Sequence, residues 1–132
     1  MTIVVGFIPT NEGRAAFDRA VAECELRKVP LVVVNSARGG RHDEGPDLQL
    51  EDELEQLLDQ TRARGVEVDV HTMVRGNEPA EDLIEVARNV AADFIVIGLR
   101  RRTPVGKLIL GSNAQRVLLD SPCAVLAVKA EH

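Results

Sequence analysis

The chain reads as an α/β protein: a doubly wound, five-stranded parallel sheet in the order 3-2-1-4-5, with helices on both faces. Three observations predict it. Short β-branched apolar runs alternate with segments of helical spacing from end to end. The central runs are apolar at every position, as strands covered on both faces must be. Right-handed crossovers then make the doubly wound order the simplest path.

Ile3 to Ile8 is the first strand, apolar and without helical spacing. Thr10 or Asn11 can cap the helix that follows, whose inner stripe is Ala16, Phe17, Ala20, Val21 and Cys24. Pro30 stops it, and Leu31 to Val34 is the second strand. Residues 37–47 form a polar, Gly/Pro-marked loop, expected to be flexible. Leu50, Leu54, Leu57 and Leu58 define the second helix, which Gly65 ends. Val66, Val68 and Val70 alternate with Glu67, Asp69 and His71, so the third strand is wet on one face and suits an edge.

Gly76-Asn77-Glu78 makes a turn, and Pro79 suits a first helical turn. Ala80, Leu83, Ile84, Ala87, Val90 and Ala91 form the inner stripe of the third helix. Phe94 to Ile97 is the fourth strand, ending at Gly98, where the glycine lets the chain turn sharply away. Ser112 to Leu119 is a short fourth helix with Ala114, Val117 and Leu118 inward. Ser121-Pro122 breaks it, and Cys123 to Val128 is the fifth strand.

A chain of 132 residues fits one domain, spanning 1–132, and buries roughly two-thirds of its unfolded surface. A net charge of −5 argues against nucleic acid as a partner, and the absence of Trp and Tyr removes platforms for stacking bases. No apolar run approaches a membrane span, and Met1 to Gly6 lacks the features of a signal peptide. Cys24 and Cys123 sit far apart in apolar patterns, which reads as two buried, reduced thiols. The expected compartment is the cytoplasm.

In the order 3-2-1-4-5 the winding reverses between strands 1 and 4, and ligands of such sheets bind at the carboxyl ends of the flanking strands. Those ends are Ile8-Pro9-Thr10 and Ile97-Gly98, with Asn35 and Ser36 closing strand 2 beside them. The stretch from Leu99 to Leu110 is rich in cations and turn formers, and delivers a ligand to the helix that opens at Gly111-Ser112. Free N–H groups of Ser112 and Asn113, with the Ser112 hydroxyl, favour phosphate there. Arg100, Arg101 and Arg102 lie alongside, and a guanidinium fork holds phosphate through two parallel bonds, so Arg101 or Arg102 is a candidate clamp. Gly106-Lys107 invites a phosphate-loop reading that fails, because Leu108 stands where magnesium needs Ser or Thr. His42, His71 and His132 have no partners at metal-ligand spacing. No nucleophile, general base or metal set for efficient catalysis is visible.

Four segments carry a family resemblance. They are Ala92-Asp93-Phe94-Ile95-Val96-Ile97-Gly98, Val105-Gly106-Lys107-Leu108-Ile109-Leu110-Gly111-Ser112, Gly76-Asn77-Glu78-Pro79-Ala80 and Pro122-Cys123-Ala124-Val125-Leu126-Ala127-Val128. Together they resemble a single-domain universal stress protein, over essentially the whole chain. The nucleotide-binding branch of that family carries Gly-x2-Gly-x9-Gly-Ser/Thr, which here reads Gly98-x2-Arg101-x9-Gly111-Ser112. A second departure puts Ile8 where the family has an adenine-contacting Asp, followed by Pro9-Thr10 in place of Gly-Ser.

The resemblance implies a stress-response regulatory module that binds ATP, with or without Mg2+, or another adenine nucleotide. It places backbone near Ser36 against the adenine edge. Binding would order residues 99–110 for an unknown protein partner to read, with at most slow ATP hydrolysis. The resemblance also implies a homodimer through Cys123 to Val128, where an apolar edge strand invites pairing. Ile8 and Arg101 keep a second reading open, a nucleotide-independent homodimeric interaction module of the same fold.

Overall fold

The computed structural model describes residues 1–36, 48–73, 78–102 and 107–130, with backbone alone at 48, 101, 102 and 107–109. The loop at 37–47, the turn at Gly76-Asn77, Gly106 and His132 lie outside the described residues. The elements in chain order are β1 (Ile3–Gly6), α1 (Asn11–Arg27), β2 (Leu31–Ser36), α2 (Leu48–Ala63), β3 (Val68–Met73), α3 (Pro79–Asn89), β4 (Phe94–Arg102), β5 (Lys107–Ile109), α4 (Ser112–Asp120) and β6 (Ala124–Lys129).

Five strands pair in parallel in the order β3-β2-β1-β4-β6, the winding expected with β6 as its fifth strand. Period-two alternation divides their side chains between two apolar layers. Ile3, Val5, Leu31, Val33 and Val96 meet α1 and α2 on one face, including Phe17, Val21, Leu54 and Leu58. Val4, Val32, Val34, Ile95 and Ile97 meet α3 and α4 on the other, through Ala80, Leu83, Val86, Ala87 and Val117. Each fully buried Val, Leu or Ile contributes about 1.5–3 kcal/mol of transfer free energy, so these two layers supply most of the driving force.

The whole expected stripe of α1 is buried. Thr10 is its cap, and the hydroxyl accepts the Gly13 N–H at 3.1 Å. Lys28, in the left-handed region at φ 57°, closes the helix ahead of Pro30. Gly65 takes φ 82° after α2, a conformation that costs glycine little. Among the described residues β3 pairs only with β2, and it forms the edge that its wet face suggested.

Five expectations about the fold need correction. The first strand ends at Gly6 rather than at Ile8, because the chain turns toward α1 there, with the Thr10 N–H donating to the Ile8 carbonyl. The fourth strand does not stop at Gly98; it runs on to Arg102, because Lys107–Ile109 folds back as β5 and pairs antiparallel with Arg100–Arg102. α3 ends at Asn89, leaving Val90 and Ala91 beyond it, and it buries Asp82 and Val86 as well. α4 buries Val117 but leaves Leu118 43% exposed, since the helix packs on α3 and β4 and Leu118 lies outside that contact. Both thiols are free, yet only Cys24 is buried; Cys123 is half-buried beside the Ser121 hydroxyl.

Candidate functional site

β1 is shorter than its neighbours, and this opens the crevice. Its pairing with β2 ends at Gly6–Val34, while β2 continues through Asn35 and Ser36, paired there to Thr72 and Met73 of β3. On the other side β1 pairs with β4 only as far as Val96. Phe7 to Thr10 then leaves the sheet for α1. In a parallel winding each helix starts where a strand has ended, so α1, α3 and α4 all turn their positive N-terminal ends toward this edge.

Pro9 is exposed and Thr10 half-buried at the base of the crevice. The Thr10 hydroxyl is engaged as the α1 cap. Ile97 is 7% exposed and points into the α3–α4 layer, so its side chain is core rather than site. Gly98 does not turn the chain as expected. It is needed because a Cβ there would sit 2.0 Å from the Glu12 carbonyl oxygen, where the first turn of α1 crosses β4. Gly13 is confined in the same way, by the Ile8 carbonyl oxygen at 2.1 Å.

An ion pair spans this crossing, with Arg100 Nε donating to Glu12 Oε2 at 3.0 Å. Burial works against the Glu12 charge. Its own backbone N–H, the Arg100 guanidinium and the Thr10 hydroxyl outweigh that and hold its carboxyl below the usual range. Arg100 is thus committed to α1, while Arg101 and Arg102 continue β4 opposite Leu108 and Lys107; the proposed clamp lies outside the described side chains.

Gly111 caps α4 in extended backbone, with no side-chain cap hydrogen bond among the described residues. The first N–H groups of a helix have no partner within it. Those of Ser112 and Asn113 therefore open toward the crevice edge. A Cβ on Gly111 would meet nothing within 4 Å, so the fold itself does not require glycine there. The Asn113 side chain turns inward, its Oδ1 accepting the Ala80 N–H at 3.2 Å and tying the start of α4 to the start of α3.

Sequence reasoning missed Asp82. It is 0% exposed in the first turns of α3, and its Oδ2 accepts the Ser36 hydroxyl proton at 2.6 Å. Its Oδ1 is buried without a hydrogen-bond partner among the described residues. A carboxylate near a helix start is favoured by the dipole at the surface as well, so residue type alone gave no sign of its burial. The available signal was spacing: Asp82 precedes the buried Val86 by one turn and adjoins Leu83.

Two grooves lie elsewhere among the described residues. One of about 460 Å³ runs between α3 and α4, lined by Glu81, Ile84, Glu85, Arg88, Arg116 and Asp120. Another of about 670 Å³ lies at the amino ends of the strands, near Thr2, Pro30 and Glu67. No cluster of metal-binding side chains occurs among the described residues, and no described helix is long and apolar enough to cross a membrane.

Comparison with known proteins agrees with this geometry. The model of the universal stress protein family matches residues 1–129. The universal stress protein of Mycolicibacterium smegmatis is 36% identical over 127 residues, 96% of either chain. The structure of a universal stress protein from Archaeoglobus fulgidus superposes with a TM-score of 0.81 at 37% identity, covering 98% of both chains. One from Archaeoglobus fulgidus in complex with dAMP gives a TM-score of 0.77 at 33% identity, again over 98% of both chains. With sheet order, crevice and sequence in agreement, the chain belongs to the universal stress protein family.

Proposed function

We propose that this protein is a stress-response module that binds an adenine nucleotide, ATP foremost, across the carboxyl ends of β2, β1 and β4. The observation that carries the reading is the start of α4. Helices usually recruit Ser, Thr, Asp or Asn as the capping side chain. Here an extended Gly111 with open space at its Cβ position leaves the Ser112 and Asn113 N–H groups available to phosphate oxygens. A family neighbour sharing 33% of its residues holds dAMP, which supports a nucleotide as the anion.

In this proposal Arg101 or Arg102 clamps the phosphates where the family's second glycine is missing, and Mg2+ accompanies a triphosphate. Thr10 contributes backbone, its hydroxyl being engaged, and Pro9 and Gly98 shape the crevice. The structure already pairs Arg100–Arg102 with Lys107–Ile109, so occupancy does not order the whole of 99–110 as expected. It alters the surface that this hairpin presents, and a partner in the cytoplasm reads that surface or the homodimer formed through β6.

Thermal-shift titration with ATP and Mg2+ tests this. At a hundred times Kd the fold gains about 2.7 kcal/mol, and Arg101→Ala together with Arg102→Ala weakens that gain. No shift at millimolar ATP overturns the reading in favour of a nucleotide-independent interaction module. The Glu12–Arg100 pair favours that second reading, because it already satisfies a cation at the crevice without a ligand.

A further inference from the structure

We infer that Asp82 makes the Ser36 hydroxyl an obligate hydrogen-bond acceptor, so that the crevice takes a 6-aminopurine nucleotide and disfavours its 6-oxo counterpart. The inference rests on the nucleotide reading above and adds the residue pair that chooses the base.

A serine hydroxyl carries one proton and two lone pairs, and ordinarily rotates to suit either kind of partner. Ser36 cannot. Its proton is committed to Asp82 Oδ2 at 2.6 Å. Asp82 has nowhere else to turn, being 0% exposed, and its second oxygen already lacks a partner among the described residues. Breaking the Ser36 bond would orphan the whole buried carboxylate, a state that folded proteins avoid. The hydroxyl therefore presents only lone pairs to anything that approaches.

Its position suits a base. Ser36 closes β2, beyond the last β1 pairing at Val34, so the crevice side of this strand end is not covered by β1. Ser36 itself is half-buried. With phosphate at the start of α4, above β4, the β2 end lies two strands away, about 10 Å across the sheet. The end of a nucleotide farthest from its phosphate is the base, which reaches Ser36 in this orientation. An exocyclic amine then donates to Oγ, whereas a carbonyl at that ring position sets two acceptors against each other.

Isothermal titration with ATP and ITP, which differ at that ring position, tests the pair. Native protein is expected to prefer ATP by about tenfold. Ser36→Ala brings the ratio close to one, and Ser36→Thr, which keeps a hydroxyl, retains the preference. Asp82→Asn also lowers the ratio, because an amide can donate to Oγ and free the serine proton. If Asp82→Asn does not fold, as read by circular dichroism, the two Ser36 variants decide. Equal native affinities, or a preference that survives Ser36→Ala, overturn this inference while the nucleotide reading stands. Failure of both nucleotides to bind native protein overturns the two together.

Discussion

A methyl group at Gly98 would lie 2.0 Å from the Glu12 carbonyl oxygen, and backbone cannot step aside as a flexible side chain can. Gly98→Ala is therefore expected to cost about 2–4 kcal/mol, read from urea denaturation, by prising the first turn of α1 off β4. Gly111→Ala offers the contrast. Its φ of −67° suits alanine and its Cβ meets nothing within 4 Å, so stability should change by no more than about 0.5 kcal/mol. Yet ATP affinity should fall, because the methyl occupies the approach to the α4 N–H groups. An unchanged affinity would remove the phosphate from that helix start. The cysteines differ as sharply. Burial, and then the Glu23 charge, push the Cys24 thiol up to about 12. The fold therefore favours its neutral form; that stability is complete below the ordinary thiol pKa and fades as pH climbs through about 12. Native protein treated with a maleimide at mild alkaline pH should label Cys123 first, and rapid labelling of Cys24 would contradict its burial.

At the scale of elements, the strands were legible wherever burial dictated their residues. Val4, Val5, Val32 and Val33 are apolar because both sheet faces are covered, and the alternation from Val68 to His71 marks an edge. The end of β4 was not legible for the converse reason. Arg100-Arg101-Arg102 extends by backbone pairing with β5, and such pairing leaves no apolar period to read. The site divides along the same line: strand ends and the α4 start follow from topology, while the Ser36–Asp82 pair depends on a contact between residues 46 apart. The Glu12–Arg100 bridge yields a prediction at this scale. Arg100 is 70% exposed on its side chain, so Arg100→Ala should cost at most about 1 kcal/mol. Because the Glu12 carboxyl is held low, the contribution exists above the ordinary carboxylate range and disappears as pH falls through that lowered value. Native and variant melting curves should converge in acid and in high salt. A difference that persists in acid would mean that Arg100 acts through packing instead.

For the molecule as a whole, the β6 margin of the parallel sheet is covered by no further strand among the described residues. β6 pairs in parallel with β4 on its inner side, and its chain from Ala124 to Val128 carries no charge before Lys129. Natural sheets ordinarily guard such margins with charges, prolines or bulges, because unpaired N–H and C=O groups recruit other chains. On α4, Leu118 and Leu119 are also exposed, at 43% and 83%. A second copy related by a two-fold axis would cover the β6 margin, since a self-complementary strand edge pairs with itself in that symmetry. Sedimentation equilibrium at tens of micromolar should accordingly give twice the 14.4 kDa chain mass. Ala127 is exposed on β6, so Ala127→Lys puts like charges face to face across the axis and should shift the protein toward monomer without unfolding it. A native protein that sediments as a monomer would refute the β6 dimer. The crevice above β1 would be untouched, since it draws its walls from one chain.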